Sequence, residues 1–104
     1  MIIEERDYRV KVGKLPEFVR LHGTKGLPVQ IPVLGNLIGH FTTDIGGLSR
    51  IVHLWGYDSY AERERRRAEL AALPEWQAYL DEALPLLEEM TSRILLPTSF
   101  SPIR

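Results

Sequence analysis

Apolar and polar positions alternate along four stretches of this chain and recur at helical spacing between them. Ile2 to Val12 reads as a first strand, alternating over Arg9 to Val12 and ended by Gly13. Leu15, Phe18, Val19 and His22 then recur at helical spacing, with Pro16 in the first turn, where its missing N–H costs nothing. Gly23 and Gly26 are expected to stop that helix. Leu27 to Leu34, with Pro28 and Pro32, predicts an irregular segment or a short second helix. Asn36 to Thr43 and Ser49 to Tyr57 predict the second and third strands. The hairpin loop between them, Asp44 to Leu48, has glycine to supply positive φ. Ser59 and Glu62 form an S-x-x-E capping box that opens a heavily charged helix. Pro74 opens another, in which Trp76, Tyr79, Leu80, Ala83, Leu84 and Leu87 make an apolar stripe that Pro85 limits or kinks. Glu89 to Leu96 predicts the last strand, before a tail too rich in proline to pair centrally.

The order β-α-β-β-α-β predicts an α+β, ferredoxin-like fold over one domain, residues 1–104: a four-stranded antiparallel sheet with helices on one face. Along the third strand Val52, Leu54 and Gly56 point one way and Ile51, His53, Trp55 and Tyr57 the other. The small apolar row suits packing under helices, which leaves the row with imidazole, indole and phenol on the uncovered face. Pairing Thr43 with Ser49 would set Phe41 opposite Ile51, Gly39 opposite His53 and Leu37 opposite Trp55. An uncovered face carrying Trp55, Phe41, Leu37, Ile51 and Tyr8 is rare on a soluble monomer. A second copy of the sheet would cover it, giving a two-fold homodimer with a barrel-like interior.

Composition narrows the function classes. The chain has 104 residues, 44% hydrophobic and 26% charged, with a net charge of −1, so no global basic field recruits nucleic acid or an acidic membrane. It has no cysteine, which excludes disulfides, thiolate nucleophiles and cysteine-based metal centres. The N-terminus lacks the apolar core of a signal peptide and no apolar run is long enough to span a bilayer. A cytoplasmic protein is expected. His22, His40 and His53 are scattered without metal-ligand spacing, so no metal and no cofactor are expected. The run Arg63 to Arg67 is interrupted and flanked by Glu62, Glu64 and Glu69, with Glu62 and Arg66 at i,i+4, and reads as a solvated helix face.

His53 is the candidate catalytic residue, a general acid or base in an aromatic row. Its alternative is a core histidine bonded to a neighbour. Tyr8, Phe41, His53, Trp55 and Tyr57 are the candidate ligand-binding lining, with Arg6 or Arg93 orienting a polar group. Arg6 on the first strand is either an anion-binding group or the partner of Glu4 in an internal ion pair. Filling the dimer interior is the plainer role for the aromatic side chains.

GNLIGHFTTDIG, the run IVHLWGYDSYAERERRRAEL, PEWQAYL and the ending RILLPTSFSP together resemble the NIPSNAP family, of the dimeric α/β-barrel superfamily. The resemblance covers nearly the whole chain, and HLWGYDSYAERERRR is its most specific part. It implies a ferredoxin-like protomer and a barrel-forming dimer, and no particular reaction. Animal members carry a mitochondrial leader and several copies of the domain; neither is expected here. Superfamily relatives include cofactor-free monooxygenases, haem-handling proteins and small isomerases, an analogy of fold alone. The function expected is binding of a small, partly apolar molecule in the barrel interior. The alternatives are a cofactor-free, monooxygenase- or isomerase-like enzyme using His53, and a solid-core scaffold dimer.

Overall fold

The computed structural model describes all residues, 1–104. Four strands, β1 (Ile2–Val10), β2 (Asn36–Thr42), β3 (Arg50–Tyr57) and β4 (Leu87–Leu95), form one antiparallel sheet in the order β2-β3-β1-β4. The helices α1 (Leu15–Leu21), α2 (Leu27–Leu34), α3 (Tyr60–Ala71) and α4 (Pro74–Ala83) lie on one of its faces. This is the ferredoxin-like arrangement that the order of the elements predicts. No helix is long and apolar enough to cross a membrane.

The helices cover the opposite row of β3 from the one expected. Ile51, His53, Trp55 and Tyr57 are all buried in the core with Phe18 of α1, Leu70 of α3 and Trp76 and Tyr79 of α4. Val52 and Leu54 lie half-buried on the uncovered face. Bulk rather than polarity decides the side. A row of valine, leucine and glycine is too small to fill the space beneath the helices to interior density. On β1 the same covered face takes Ile2, Glu4, Arg6, Tyr8 and Val10, paired through the register Glu4–Trp55, Arg6–His53 and Tyr8–Ile51.

The β2–β3 register also departs from expectation. Leu37 does oppose Trp55, but a bulge at Ile38 shifts the ladder by one, so His40 opposes His53 and Thr42 opposes Ile51. Gly39 therefore does not face His53. It lies on the uncovered face beneath the Phe41 ring, where a Cβ would come within 2.6 Å of two ring carbons. Gly23 and Gly26 do not stop the first helix either. They fall inside a π-helical turn, His22–Gly26, that carries the chain from α1 directly into α2. A Cβ on Gly26 would meet the His22 ring at 2.6 Å and the Tyr79 ring at 2.8 Å, so this glycine is what lets α4 close on the turn.

Helix α3 begins at Ser59, whose hydroxyl accepts from the Glu62 N–H at 3.1 Å. Only Leu70 of this helix is buried. In α4 Trp76, Tyr79 and Ala83 are buried, and Pro85 sits in a short 3-10 turn, Leu84–Leu86, that ends the helix. The two helices should therefore differ in weight. Trp76→Ala is expected to lower stability by about 3–5 kcal/mol, and Arg65→Ala, an exposed arginine, to stay within about 0.5 kcal/mol of wild type. Urea denaturation of both variants checks this, and equal losses would contradict the assignment.

Candidate functional site

Beneath the helices the sheet does not close fully on α4. A cavity of about 290 Å³ remains, walled by Phe18, Trp76, Tyr79, Leu80 and other apolar side chains. Trp76 and Tyr79, three apart on α4, stack with ring centroids 4.9 Å apart. Five polar side chains reach the cavity: Arg6 and Tyr8 from β1, His22 from the π turn, Gln30 from α2 and Arg67 from α3. The cavity lies within the single chain, on the covered face, and not between two sheets as the sequence led one to expect.

The floor is held by a buried carboxylate. Glu4 is wholly inaccessible to solvent and accepts from Arg6 Nη1 at 2.8 Å, from Arg63 Nε and Nη2 at 3.2 and 2.9 Å, and from the Ser92 hydroxyl. Burial alone would raise this carboxyl. The hydrogen bonds from Arg63 and Ser92 and the charges of Arg6 and Arg67 outweigh it and bring the group down to about 2. Arg6 also donates through Nε to the Tyr8 hydroxyl at 2.6 Å. The ion pair between Arg6 and Glu4, one of the two roles open to Arg6, is thus present, and Arg6 lines the cavity as well.

The three histidines, scattered in the sequence, meet in space. The bulge places His40 beside β3, and ring centroids lie 4.9 Å apart for His22–His40, 5.2 Å for His22–His53 and 5.6 Å for His40–His53. Hydrogen bonding assigns their tautomers. His22 Nε2–H donates to Gln30 Oε1 at 2.7 Å, which leaves His22 Nδ1 to accept from His40 Nε2–H at 3.1 Å. The Trp55 indole N–H donates to His53 Nδ1 at 2.6 Å, so a neutral His53 carries its proton on Nε2, where no partner is in reach. No three histidine or acidic side chains converge in a geometry that would hold a metal ion. Burial, the neighbouring imidazoles and the Arg6 and Arg67 charges push His53 down to about 2. Burial takes His22 to about 4 against its bond to Gln30, and lowers His40 also.

The candidate ligand residues therefore divide. Arg6 and Tyr8 line the cavity. His53, Trp55 and Tyr57 share its face of the sheet but are packed under the helices, away from the cavity wall. Phe41 and Arg93 are on the other face, Arg93 bound to Glu5 at 2.9 Å, so neither can orient a molecule in this cavity. Nor is the arginine run of α3 simply a solvated face. Arg63 reaches Glu4, Arg66 donates to the Val33 carbonyl at 3.0 Å, and Arg67 lines the cavity. The missed signal was the spacing of Arg63, Arg67 and Leu70, i, i+4 and i+7, which puts two arginines on the stripe that Leu70 buries. His22 and Gln30 had no such signal, since a π turn brings them together.

Comparison with known proteins agrees with this architecture. The NIPSNAP family model matches residues 3–102. The chain belongs to the NIPSNAP family. Among solved structures, a NIPSNAP family protein from Agrobacterium tumefaciens is 50% identical, with a TM-score of 0.97 over 99% of this chain and 98% of that one. A NIPSNAP-like domain protein from Burkholderia xenovorans is 51% identical, with a TM-score of 0.93 over 97% and 88%. NipSnap homolog 1 of Danio rerio is 34% identical over 103 residues, 99% of this chain and 36% of that protein. This chain thus spans about a third of the length of that curated NIPSNAP relative. A solved antibiotic biosynthesis monooxygenase, 8% identical with a TM-score of 0.66 over 94% of this chain and 99% of that one, shares the fold alone.

The buried ionisable groups predict the pH dependence of this NIPSNAP domain. His22 and His53 titrate in the fold near 4 and 2, below the ordinary 6.5, and Glu4 near 2, below 4.5. All three are depressed, so unfolding takes up protons and stability rises with pH. The histidine contribution is full above 6.5 and is lost as pH falls toward 4 and then 2. The Glu4 contribution is full above 4.5 and is lost toward 2. Urea midpoints should fall from pH 7 to pH 5, with roughly two protons taken up on unfolding. Flat midpoints over that range would show the rings to be protonated in the fold.

Proposed function

We propose that this NIPSNAP domain binds a small, partly apolar molecule in the cavity between its sheet and α4. The observation that carries the reading is the cavity itself: aromatic and aliphatic walls with a few convergent polar groups, the usual composition of a small-molecule site. Its 290 Å³ sets the scale of the ligand at the small end of such sites. Ala83, buried in the wall, offers the test. A metabolite library should contain compounds that raise the melting temperature of the wild type, and Ala83→Leu, which fills the space, should abolish the shift. Compounds that stabilise both proteins equally, or none at all, would overturn the reading.

We propose also that the uncovered face of the sheet joins two copies into a homodimer in the cytoplasm. Phe41 is 54% exposed there, and the half-buried Val52, Leu54 and Leu95 share the face. The charged side chains among them are already paired, Glu5 with Arg93 and Asp7 with Arg50 at 2.9 and 3.0 Å, which limits the penalty of covering them. Such a face is self-complementary about a two-fold axis. Light scattering should give a dimer mass at micromolar protein and a monomer mass for Phe41→Glu. A wild-type monomer would refute it.

A second reading, cofactor-free acid–base catalysis, has the unpartnered Nε2–H of His53 in its favour. That group lies behind the cavity wall, so it serves a reaction only if ligand entry parts Tyr8 from His53, whose rings are now edge to face at 5.1 Å.

A further inference from the structure

One edge of a guanidinium at the cavity has no partner. Four arginines sit close together on α3, and three of them are bound. Arg63 pairs with Glu4 and Glu64, Arg65 with Glu62, and Arg66 with Glu62 and the Val33 carbonyl. Arg67 makes no ion pair, and its Nη1 is out of reach of solvent without any acceptor. It lies beside the buried Tyr57 hydroxyl, near enough for its charge to oppose the burial that raises that phenol, yet neither atom has a partner in good hydrogen-bond geometry. An unsatisfied buried donor is unfavourable, and more so when it carries charge.

Of the acceptors nearby, the Tyr57 hydroxyl is free but neutral, so it cannot offset the guanidinium's charge. Glu4, the only carboxylate under the helices, already accepts from Arg6 Nη1, Arg63 Nε, Arg63 Nη2 and Ser92. Oε2 takes three of these donors and Oε1 one, so most of the acceptor capacity of the carboxylate is in use. The Tyr8 oxygen already accepts from Arg6 Nε. Three guanidiniums, Arg6, Arg63 and Arg67, thus surround one carboxylate, and the histidines nearby add no negative charge. The positive excess falls where Arg6 and Arg67 line the cavity.

From the unpartnered Arg67 Nη1 and the neighbouring Arg6 we infer that the ligand carries a carboxylate, seated between Arg67 and Arg6, with its apolar part along Phe18, Trp76 and Tyr79. The inference rests on the cavity being a ligand site and adds the charge and chemical class of what fills it. A carboxylate suits better than a phosphate because its two oxygens match two guanidinium edges, and the rest of the wall is mostly apolar. A cationic ligand would meet the same excess as repulsion.

The test compares octanoate and 3-phenylpropanoate with the corresponding alcohols and alkylammonium ions, titrated against Trp76 fluorescence with Trp55 replaced by Phe, and by calorimetry on the wild type. The carboxylates should bind the wild type roughly tenfold or more tighter than the alcohols, the scale of a charge-assisted hydrogen bond. Arg67→Met should bring the two classes level without weakening the alcohols. The wild-type comparison does not depend on any variant folding, and Arg67→Lys, which keeps charge but not the fork, should fall between. Alcohols binding as tightly as carboxylates, or ammonium ions binding best, would overturn the carboxylate and leave the cavity reading standing. Octyl phosphate binding more tightly than octanoate would replace carboxylate by phosphate and so overturn the inference as stated. Failure of every probe, on a wild type that Ala83→Leu leaves unchanged in thermal shift against the library, would overturn both.

Discussion

The Glu4 carboxylate is the joint on which this fold's interior turns. Its two oxygens take donors from β1, β4 and α3 at once, through Arg6, Ser92 and Arg63. Helix α3 has little else to hold it: one buried leucine and a face of charge. A buried ion pair adds little net stability, because desolvation offsets most of the attraction, but removing one partner leaves an uncompensated charge. The Glu4 cluster therefore acts less as a source of stability than as a constraint on where α3 may sit. That placement brings Arg67 to the cavity.

The cavity follows from a second constraint, the volume under the helices. Trp55, Ile51 and Tyr57 fill it at the β3 side, and Phe18 and Leu34 complete the packing there. Toward β4 the covered face carries Ser92 and Met90, both exposed. Helix α4 gives way at Pro85 to a 3-10 turn before it can cover them. A gap at that side, lined by the stacked Trp76 and Tyr79, is what remains.

Two irregularities build the histidine cluster, and neither is conspicuous alone. The bulge at Ile38 turns His40 under the helices, and the π turn widens the helix at His22 so that its ring lies over β3. Without the bulge His40 would point away from the helices, because strand side chains alternate. Irregular backbone of this kind is common next to binding sites.

What the sequence determined by itself was local or periodic. The order of strands and helices, the Ser59 cap, the apolar stripe of α4 and the NIPSNAP resemblance all rest on short-range spacing, and spacing survives folding. The side of the sheet on which each row lies did not follow, because Ile51, His53, Trp55 and Tyr57 alternate with Val52, Leu54 and Gly56 equally well in either orientation. Only the volume left beneath the helices chose the bulky row. The β2 register depended on one extra residue at Ile38, which no pattern of polarity marks. The roles of Glu4, Arg63 and Arg67 depended on contacts 59 or more residues apart in sequence, from Glu4 to Arg63 and to Ser92. A guanidinium on a charged helix looks solvated until the packing shows which face is turned inward. The tertiary structure alone decided that Arg67 is turned toward the cavity with its Nη1 unpartnered.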